Sequence, residues 1–437
     1  MLTEFRIGID DTDSKMGGCT TYTGTLLFQE LIRRRLEPVD FPWLVRLNPN
    51  IPWKTRGNGA VAIHIRVEDK HVEQVKKIAL GIVEKTSDPS TPSTDPAVVF
   101  LTGPKPPLLM EFSRRALCDV ISVREAKNVA RIVHAEVHFL GGSRGMIGAL
   151  AAVGSDLESQ HTFEIIAYRT KKKRGTRRRV DEDSVREMDF RYQDRTFNNI
   201  DPETGRILIC SHGPDPVLFG IRGEDPVTLV RAFECIRVME PIARVMMFNT
   251  NNGTDAHLNC PRTLPTLRTH MSVALEGRVE TDCKVLRGGH LVFRLRDQTG
   301  VVDCAAYEPL GPFRKIVRQL LPGDRLRVYG GVRRGPSGQS TINLEKLEIL
   351  ELVPAIRLVK PTCPVCGSSC ESMGANQGFR CRKCNLRFPP TSRRAVVEER
   401  DLTTGIFIPP PRAHRHLTKP ASRLFRKGVS QSPIPNI

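Results

Sequence analysis

The chain has 437 residues, 39% hydrophobic and 26% charged, which suits a folded protein of two to four domains. Lysine and arginine number 66 against 48 acids, a net charge of +18 that points first to a long polyanion and second to an anionic surface. No apolar run approaches the roughly 20 residues of a membrane span, and "MLTEFRIGID" runs straight into a strand pattern, so no signal peptide and a cytoplasmic location are expected. Of the 12 cysteines, four form two close CxxC pairs. The others stand singly in apolar contexts, which suggests a reducing compartment and a metal site rather than a disulfide framework.

"EFRIGID" reads as a buried strand and "TTYTGTLLFQELIRRRL" as the helix after it, with apolar residues at helical spacing. "FPWLVRLNP" and "GAVAIHIRV" read as strands, followed by a helix over roughly 70–85. "DPSTPSTDPA" (88–97) is a loop by composition, "RGMIGALAAVG" (144–154) a tight helix start and "HTFEIIAYR" (161–169) a further strand. Alternating strands and helices argue for an α/β unit to about residue 190. "RILIC", "PVLFGIRG", "DPVTLVRAFECIRV" and "IARVMMFN" then suggest a small ferredoxin-like or split βαβ module. From 270 onward five alternating segments follow, with "GPFRKIVRQLL" as a helical piece between the third and fourth, which is the order of an OB-fold barrel. Such barrels usually take single-stranded or irregular nucleic acid.

The most specific chemical signal is Cys363–Cys366 and Cys381–Cys384, two equal CxxC knuckles 14 residues apart. Four thiolates at that spacing suit one tetrahedral Zn²⁺, and a segment this short needs the metal to fold. Asp10, Asp11 and Asp13 crowd the end of the first strand, where a divalent cation would relieve their repulsion. A solvated turn is the plainer reading of that cluster alone. "KTRGNG" changes the balance: Lys54 and Arg56 precede Gly57-Asn58-Gly59, a loop that lets main-chain N–H groups approach phosphate. Gly141, Gly142, Arg144 and Gly145 open a helix, a second anion-binding arrangement. Eight cations between Arg169 and Arg179, and Arg412, Arg415, Lys419, Arg423, Arg426 and Lys427 near the end, favour contact with a phosphate backbone over plain solvation.

"IGIDDTDSKMGGCTTYTG", "RLNPNIPWKTRGNGAVAI", "RGMIGALAAVG" and "FGIRGE" together resemble the archaeal tRNA(Ile)-2-agmatinylcytidine synthetase (TiaS) family over nearly the whole chain. The resemblance implies an α/β and α+β multidomain protein. Its parts would be a kinase-like ATP-binding domain (1–193), a ferredoxin-like domain (194–268), an OB-fold that binds tRNA (269–354), a zinc ribbon (355–395) and a basic tail (396–437). It implies an ATP-dependent carbon–nitrogen ligase. Agmatine replaces the C2 oxygen of the wobble cytidine in the CAU-anticodon isoleucine tRNA, AMP and diphosphate are released, and the product decodes AUA. Phosphorylation would turn a poor leaving group into phosphate, with Mg²⁺ and cations around the developing charge.

Carried over by position, Asp10, Asp11 and Asp13 match the family's metal-binding aspartates. Lys54, Arg56, Gly57, Asn58 and Gly59 match its triphosphate loop, and Arg144 and Gly145 its glycine-rich helix start. Thr20 matches a threonine that becomes phosphorylated, although it also reads as an N-cap, and Arg222 matches a residue of the shared active site. Gly18 stands where the family pattern has methionine. Glu224 and Asp255 are acids that could meet the agmatine guanidinium. Expected partners are the tRNA, agmatine and ATP, with no membrane and no evident protein partner. The competing readings are a non-catalytic nucleic-acid binder, which leaves "DDTDS" and "KTRGNG" without a role, and an ATP-dependent kinase of another substrate.

Overall fold

Strand Leu2–Asp10 buries Phe5, Ile7 and Ile9 completely and sits inside a ten-stranded sheet. A computed structural model of the chain describes residues 2–87, 91, 94–335 and 338–425. The loop expected over 88–97 falls partly outside them. The sheet runs Glu136–Phe139, Ala97–Thr102, Leu2–Asp10, Gly59–Glu68, Trp43–Arg46, Ile242–Thr250, Thr162–Arg169, Val217–Gly223 and Thr196–Phe197, with Glu37–Pro38 attached to Gly59–Glu68. The alternation of helix and strand is as expected, yet neighbouring strands pair antiparallel except at one seam. There Trp43 and Leu44 run parallel to Asn249 and Thr250. The side chain of Asn251 extends the seam: its Oδ1 accepts from the Arg46 N–H (2.8 Å) and its Nδ2 donates to the Arg46 carbonyl (2.9 Å). That extension fixes Arg46 at the end of the junction.

Helices cover both faces of the first half of the sheet. Thr20–Arg33 and Val72–Thr86 cover one face. Pro107–Cys118, Val123–Ile132 and Gly145–Gly154 cover the other. The last of these lies unusually close to the central strand. A Cβ on Gly8 would come within 2.2 Å of the Ala149 carbonyl oxygen, so a glycine is needed for that approach. "RILIC" was expected as a strand but makes only isolated bridges, Ile200 with Ile207 and Cys210 with Phe219. The strand Thr162–Arg169 is hydrogen-bonded on one side to Ile242–Thr250 and on the other to Val217–Gly223. A cut at 193 therefore separates it from both of its partners.

The five OB strands form a closed sheet. Asp303–Ala305 runs parallel to Thr341–Asn343, and Arg278 and Val279 pair with Arg296 and Leu295 to close the barrel. Helix Phe313–Arg318 lies between the third and fourth strands, as the pattern predicts. The barrel docks on the loop after Trp43–Arg46, where Asn48 Nδ2 donates to the His270 carbonyl (2.8 Å) and Asn50 Nδ2 to Ser272 Oγ (2.9 Å). A disulfide between Cys118 and Cys260 also crosses this junction, so two of the singly placed cysteines are paired, against expectation.

Ribbon strands Glu371–Ser372, Phe379–Arg380 and Arg387–Phe388 form a small sheet on a stem made by Ala355–Val359 and Arg394–Glu398. The chain then returns. Gly405–Phe407 pairs with the barrel strand Ser340–Glu351, and residues 409–420 strap across the seam, with Leu417 and Thr418 buried. Two tail cations, Arg426 and Lys427, lie outside the described residues.

Candidate active site and the compartment beside it

The aspartates and the "KTRGNG" loop line one cleft together with Thr20, Arg144 and Gly145. Asp10 ends the central strand, packed against Gly148, where any Cβ would collide with its carboxylate. Asp11 takes the left-handed backbone region (φ 57°), which turns its carboxylate to accept the Asp95 N–H (3.0 Å). Asp13 pairs with Arg56 at 2.7 Å, and Arg56 also donates to the Gly18 carbonyl (2.7 Å). Gly18 itself has φ 73°, a conformation that suits glycine and disfavours the methionine of the family pattern. The phosphate-type loop and the acidic loop are thus one rigid unit.

Burial and mutual repulsion set the charge of the acids. Asp10 is pushed well above the ordinary carboxylate range by burial and then by Asp11. Asp11 rises to about 6, through burial foremost, with the Asp95 N–H and Arg144 opposing and Asp13 and Asp95 adding. Asp13 also rises, through burial and against the pull of Arg56. The three do not close into a metal cage: among the described residues, Cys363, Cys366, Cys381 and Cys384 are the only group of three or more possible ligands whose atoms all lie within 4.8 Å of one another. The donor set still suits Mg²⁺, which takes one or two carboxylates and draws its remaining oxygens from phosphate and water.

Thr20 is the first residue of its helix and Cys19 occupies the N-cap position, so the N-cap reading of Thr20 is corrected. Its Oγ1 accepts from the Thr12 N–H (3.4 Å) and Thr12 Oγ1 (3.2 Å), deep in the cleft. Gly145 differs from expectation as well. Its N–H is used, donating to the Asp95 carbonyl (3.2 Å), and a Cβ there would meet that oxygen at 2.2 Å. The glycine serves close packing there, and Arg144 reaches the site by its side chain, 3.5 Å from Asp95.

Arg222 does not line this cleft. It lines an adjoining compartment with Arg46, Lys54, Arg56 and the strap residues Arg412, His414, Arg415 and His416. Arg222 and Arg46 share Glu164, at 3.1 and 3.6 Å. The partly buried His416 ring lies against Gly57, its Nδ1 has no hydrogen-bond partner among the described residues, and Arg46, burial and Arg222 hold it neutral. Composition and spacing gave no sign that a segment so far along the chain returns here.

Several expected contacts are already used inside the fold. Asp255 is paired with Lys346 (2.5 Å) and accepts the Lys419 N–H, and Glu224 is paired with Arg423 (2.7 Å). Neither acid is therefore available to a guanidinium. Arg169 is completely buried on Glu240 (2.8 Å), Arg178 is held by Asp215 (3.2 Å), and Arg412 is held by Asp201 and Glu203. Those members of the basic runs do not face solvent phosphate.

A cleft lined by a glycine loop, basic side chains and three aspartates, beside an OB barrel and a four-cysteine ribbon, is the build of an enzyme that brings a nucleoside triphosphate to RNA. Four family descriptions match along the chain: "TiaS TCKD domain" over 6–141, "TiaS FLD domain" over 143–257, "OB-fold nucleic acid binding domain" over 273–350 and "TiaS C-terminal zinc ribbon domain" over 360–402. The isoleucine-tRNA 2-agmatinylcytidine synthetase TiaS of Pyrococcus horikoshii is 41% identical over 95% of this chain and 96% of its own. The Methanocaldococcus jannaschii protein of that name is 42% identical over 95% of this chain and 97% of its own. A solved complex of TiaS with its isoleucine tRNA and ATP superposes with TM-score 0.86 at 38% identity, covering 99% of each chain. A second, of TiaS with that tRNA, AMPCPP and agmatine, superposes with TM-score 0.84 at 36% identity, covering 98% of this chain and 99% of the other. The chain belongs to the TiaS family. No helix among the described residues is long and apolar enough to cross a membrane.

Proposed function

We infer that this chain is an ATP-dependent ligase that joins agmatine to C2 of the wobble cytidine of the CAU-anticodon isoleucine tRNA. ATP is cleaved to AMP and diphosphate, the terminal phosphoryl group of the diphosphate activates the C2 oxygen and leaves with it as phosphate when the agmatine amine takes its place, and the tRNA carrying 2-agmatinylcytidine decodes AUA. The observation that carries this is the end-to-end likeness to relatives solved with an isoleucine tRNA, ATP and agmatine. The cleft adds its own chemistry. Lys54, Arg56 and the main chain of Gly57–Gly59 bind and orient the triphosphate. Asp10, Asp11 and Asp13 are the residues that would hold Mg²⁺, one or two of them at a time, and the ion would neutralise charge on the phosphates. Thr20 presents its hydroxyl to the transferred phosphoryl group, and Arg144 steadies the nucleotide side. Arg222, in the adjoining compartment, serves the RNA side.

The division of labour follows the fold. The aspartate half of the sheet uses ATP, the second half carries the adjoining compartment, and the barrel and ribbon hold the tRNA body. The four ribbon cysteines hold a structural Zn²⁺, and the enzyme works in the cytoplasm with its substrate. One assay decides between readings: incubate the protein with ATP, Mg²⁺, labelled agmatine and the CAU-anticodon transcript. Label entering RNA with AMP formed is the expected result. ADP formed without labelled RNA would identify a kinase of another substrate, and tRNA binding without ATP consumption a plain RNA binder.

A further inference from the structure

Three cations from three parts of the chain converge where the two compartments meet. Lys54 comes from the glycine loop, Arg333 from the barrel strand Arg325–Arg334 and Arg415 from the strap. Lys54 donates to the Ile51 carbonyl (2.8 Å) and Arg333 to the Asn50 carbonyl (2.9 Å), and neither reaches a carboxylate among the described residues. Arg415 is 43% exposed, and its one acid among the described residues is Glu345, at 3.8 Å. Glu345 is also the hydrogen-bond partner of His257 (2.9 Å), so the one carboxylate near Arg415 is already shared. Burial and then the two arginines depress the Lys54 ammonium, and burial and then Arg415 depress Arg333. The fold holds these charges together against their repulsion. Trp53, 45% exposed, lies beside Lys54 and edge-on to His270 at 6.2 Å. Exposed aromatic surface next to clustered cations is the pairing that single-stranded RNA uses.

We propose that Arg333 and Arg415, with Lys54 standing between them and the triphosphate cleft, form a phosphate subsite that grips one backbone phosphodiester of the RNA next to the reacting nucleotide. The subsite joins loop, barrel and strap through the substrate itself. Seating the RNA correctly then brings the glycine loop into register with the ATP cleft. The inference rests on the reading of the chain as a tRNA-acting enzyme. A phosphate of ATP is the other source of the same chemistry, and the experiment separates the two.

The probes are the CAU-anticodon transcript and ATP, with the wild type, Arg415→Ala and Arg415→Lys. Arg415 is the variant of choice because the weak Glu345 contact is the only internal bond of its side chain among the described residues, and melting curves check that folding is intact. Arg415→Ala is expected to weaken transcript binding about tenfold and to lower the slope of log Kd against log[KCl] by about 0.7–1, the loss of one phosphate contact. Arg415→Lys restores most of the slope, and the KM for ATP stays within about twofold. A transcript with one neutral methylphosphonate beside the wobble cytidine should lose the same affinity for the wild type and lose nothing further for Arg415→Ala. An unchanged salt slope overturns the proposal, as does a raised KM for ATP with intact transcript binding. If the wild type fails to join agmatine while the salt and methylphosphonate effects persist, only the reaction assignment falls. If joining is normal and those effects are absent, only the subsite falls.

Discussion

Asp11 combines a left-handed backbone, a partly buried carboxylate and a hydrogen bond to the Asp95 N–H, so its geometry is built rather than incidental. Asp11→Asn separates charge from shape. Asparagine tolerates the same φ and can still accept that N–H, so the turn survives. Turnover is expected to fall by about a hundredfold or more through loss of metal and phosphate charge balance, while transcript affinity changes less than about twofold. Steady-state kinetics and filter binding read the two effects, and a matching loss of affinity would remove the metal assignment. Gly57 makes a second test. A Cβ there would sit 2.7 Å from Arg46 Nη1 and 2.8 Å from the His416 ring. Gly57→Ala should therefore push the strap off the loop and raise the KM for ATP with little change in melting temperature. Unchanged kinetics would mean that the strap is not coupled to the loop.

Strands and helices with strong periodicity were legible in the sequence, and pairing was not. "EFRIGID" and "GAVAIHIRV" read as strands because their apolar runs are long. Nothing in those runs says that they pair antiparallel, or that Trp43–Arg46 meets Ile242–Thr250 in parallel at a seam, because that register depends on Asn251. "RILIC" shows the reverse error: an apolar run with β-type residues whose hydrogen bonds go to isolated bridges instead. The disulfide is a further contact invisible to spacing, since Cys118 ends a helix of the catalytic half and Cys260 precedes the barrel, 142 residues on. Beside it Arg262 holds Asp119 at 2.7 Å, and Asp119 lines the ATP cleft. Closing so long a loop is worth about 2–4 kcal/mol in typical proteins. Cys118→Ser, or full reduction, should lower the melting of the catalytic half by roughly 5–10 °C. A non-reducing peptide map shows whether the bond is present, and unchanged melting after verified reduction would contradict its structural role.

Over the whole molecule, the residues that the fold brings together were recognisable as candidates wherever motif and chemistry coincide within a few positions. "DDTD", "KTRGNG" and the paired CxxC knuckles are of that kind. Arg46, Arg415 and His416 are not, because each reaches the cleft or the compartment beside it from an element whose own sequence is ordinary. The ribbon shows the same contrast in its energetics. Its interior among the described residues is Cys363, Cys370, Cys381 and Phe379, with Cys384 and Phe388 against them, too little apolar surface to fold about 40 residues. The metal must supply the difference, and Cys363 is, with Cys381, one of the two buried cysteines of the cluster that would hold it. The stem Ala355–Val359 with Arg394–Glu398 separates the ribbon from the barrel, while the strap beyond it is anchored independently by Gly405–Phe407 on the barrel and by Arg400 on Asp324 (2.7 Å). Cys363→Ser, or a strong chelator, should therefore melt the ribbon and leave the ATP cleft and strap in place. Calorimetry is expected to lose one small transition and keep the main one, zinc content to fall to zero, and the KM for ATP to stay within about twofold. Transcript affinity should drop at least about tenfold, because the ribbon's contact with the tRNA is lost as a unit. If the main transition collapses with the metal, the ribbon is part of the catalytic body; if transcript affinity is unchanged, the ribbon does not hold the tRNA.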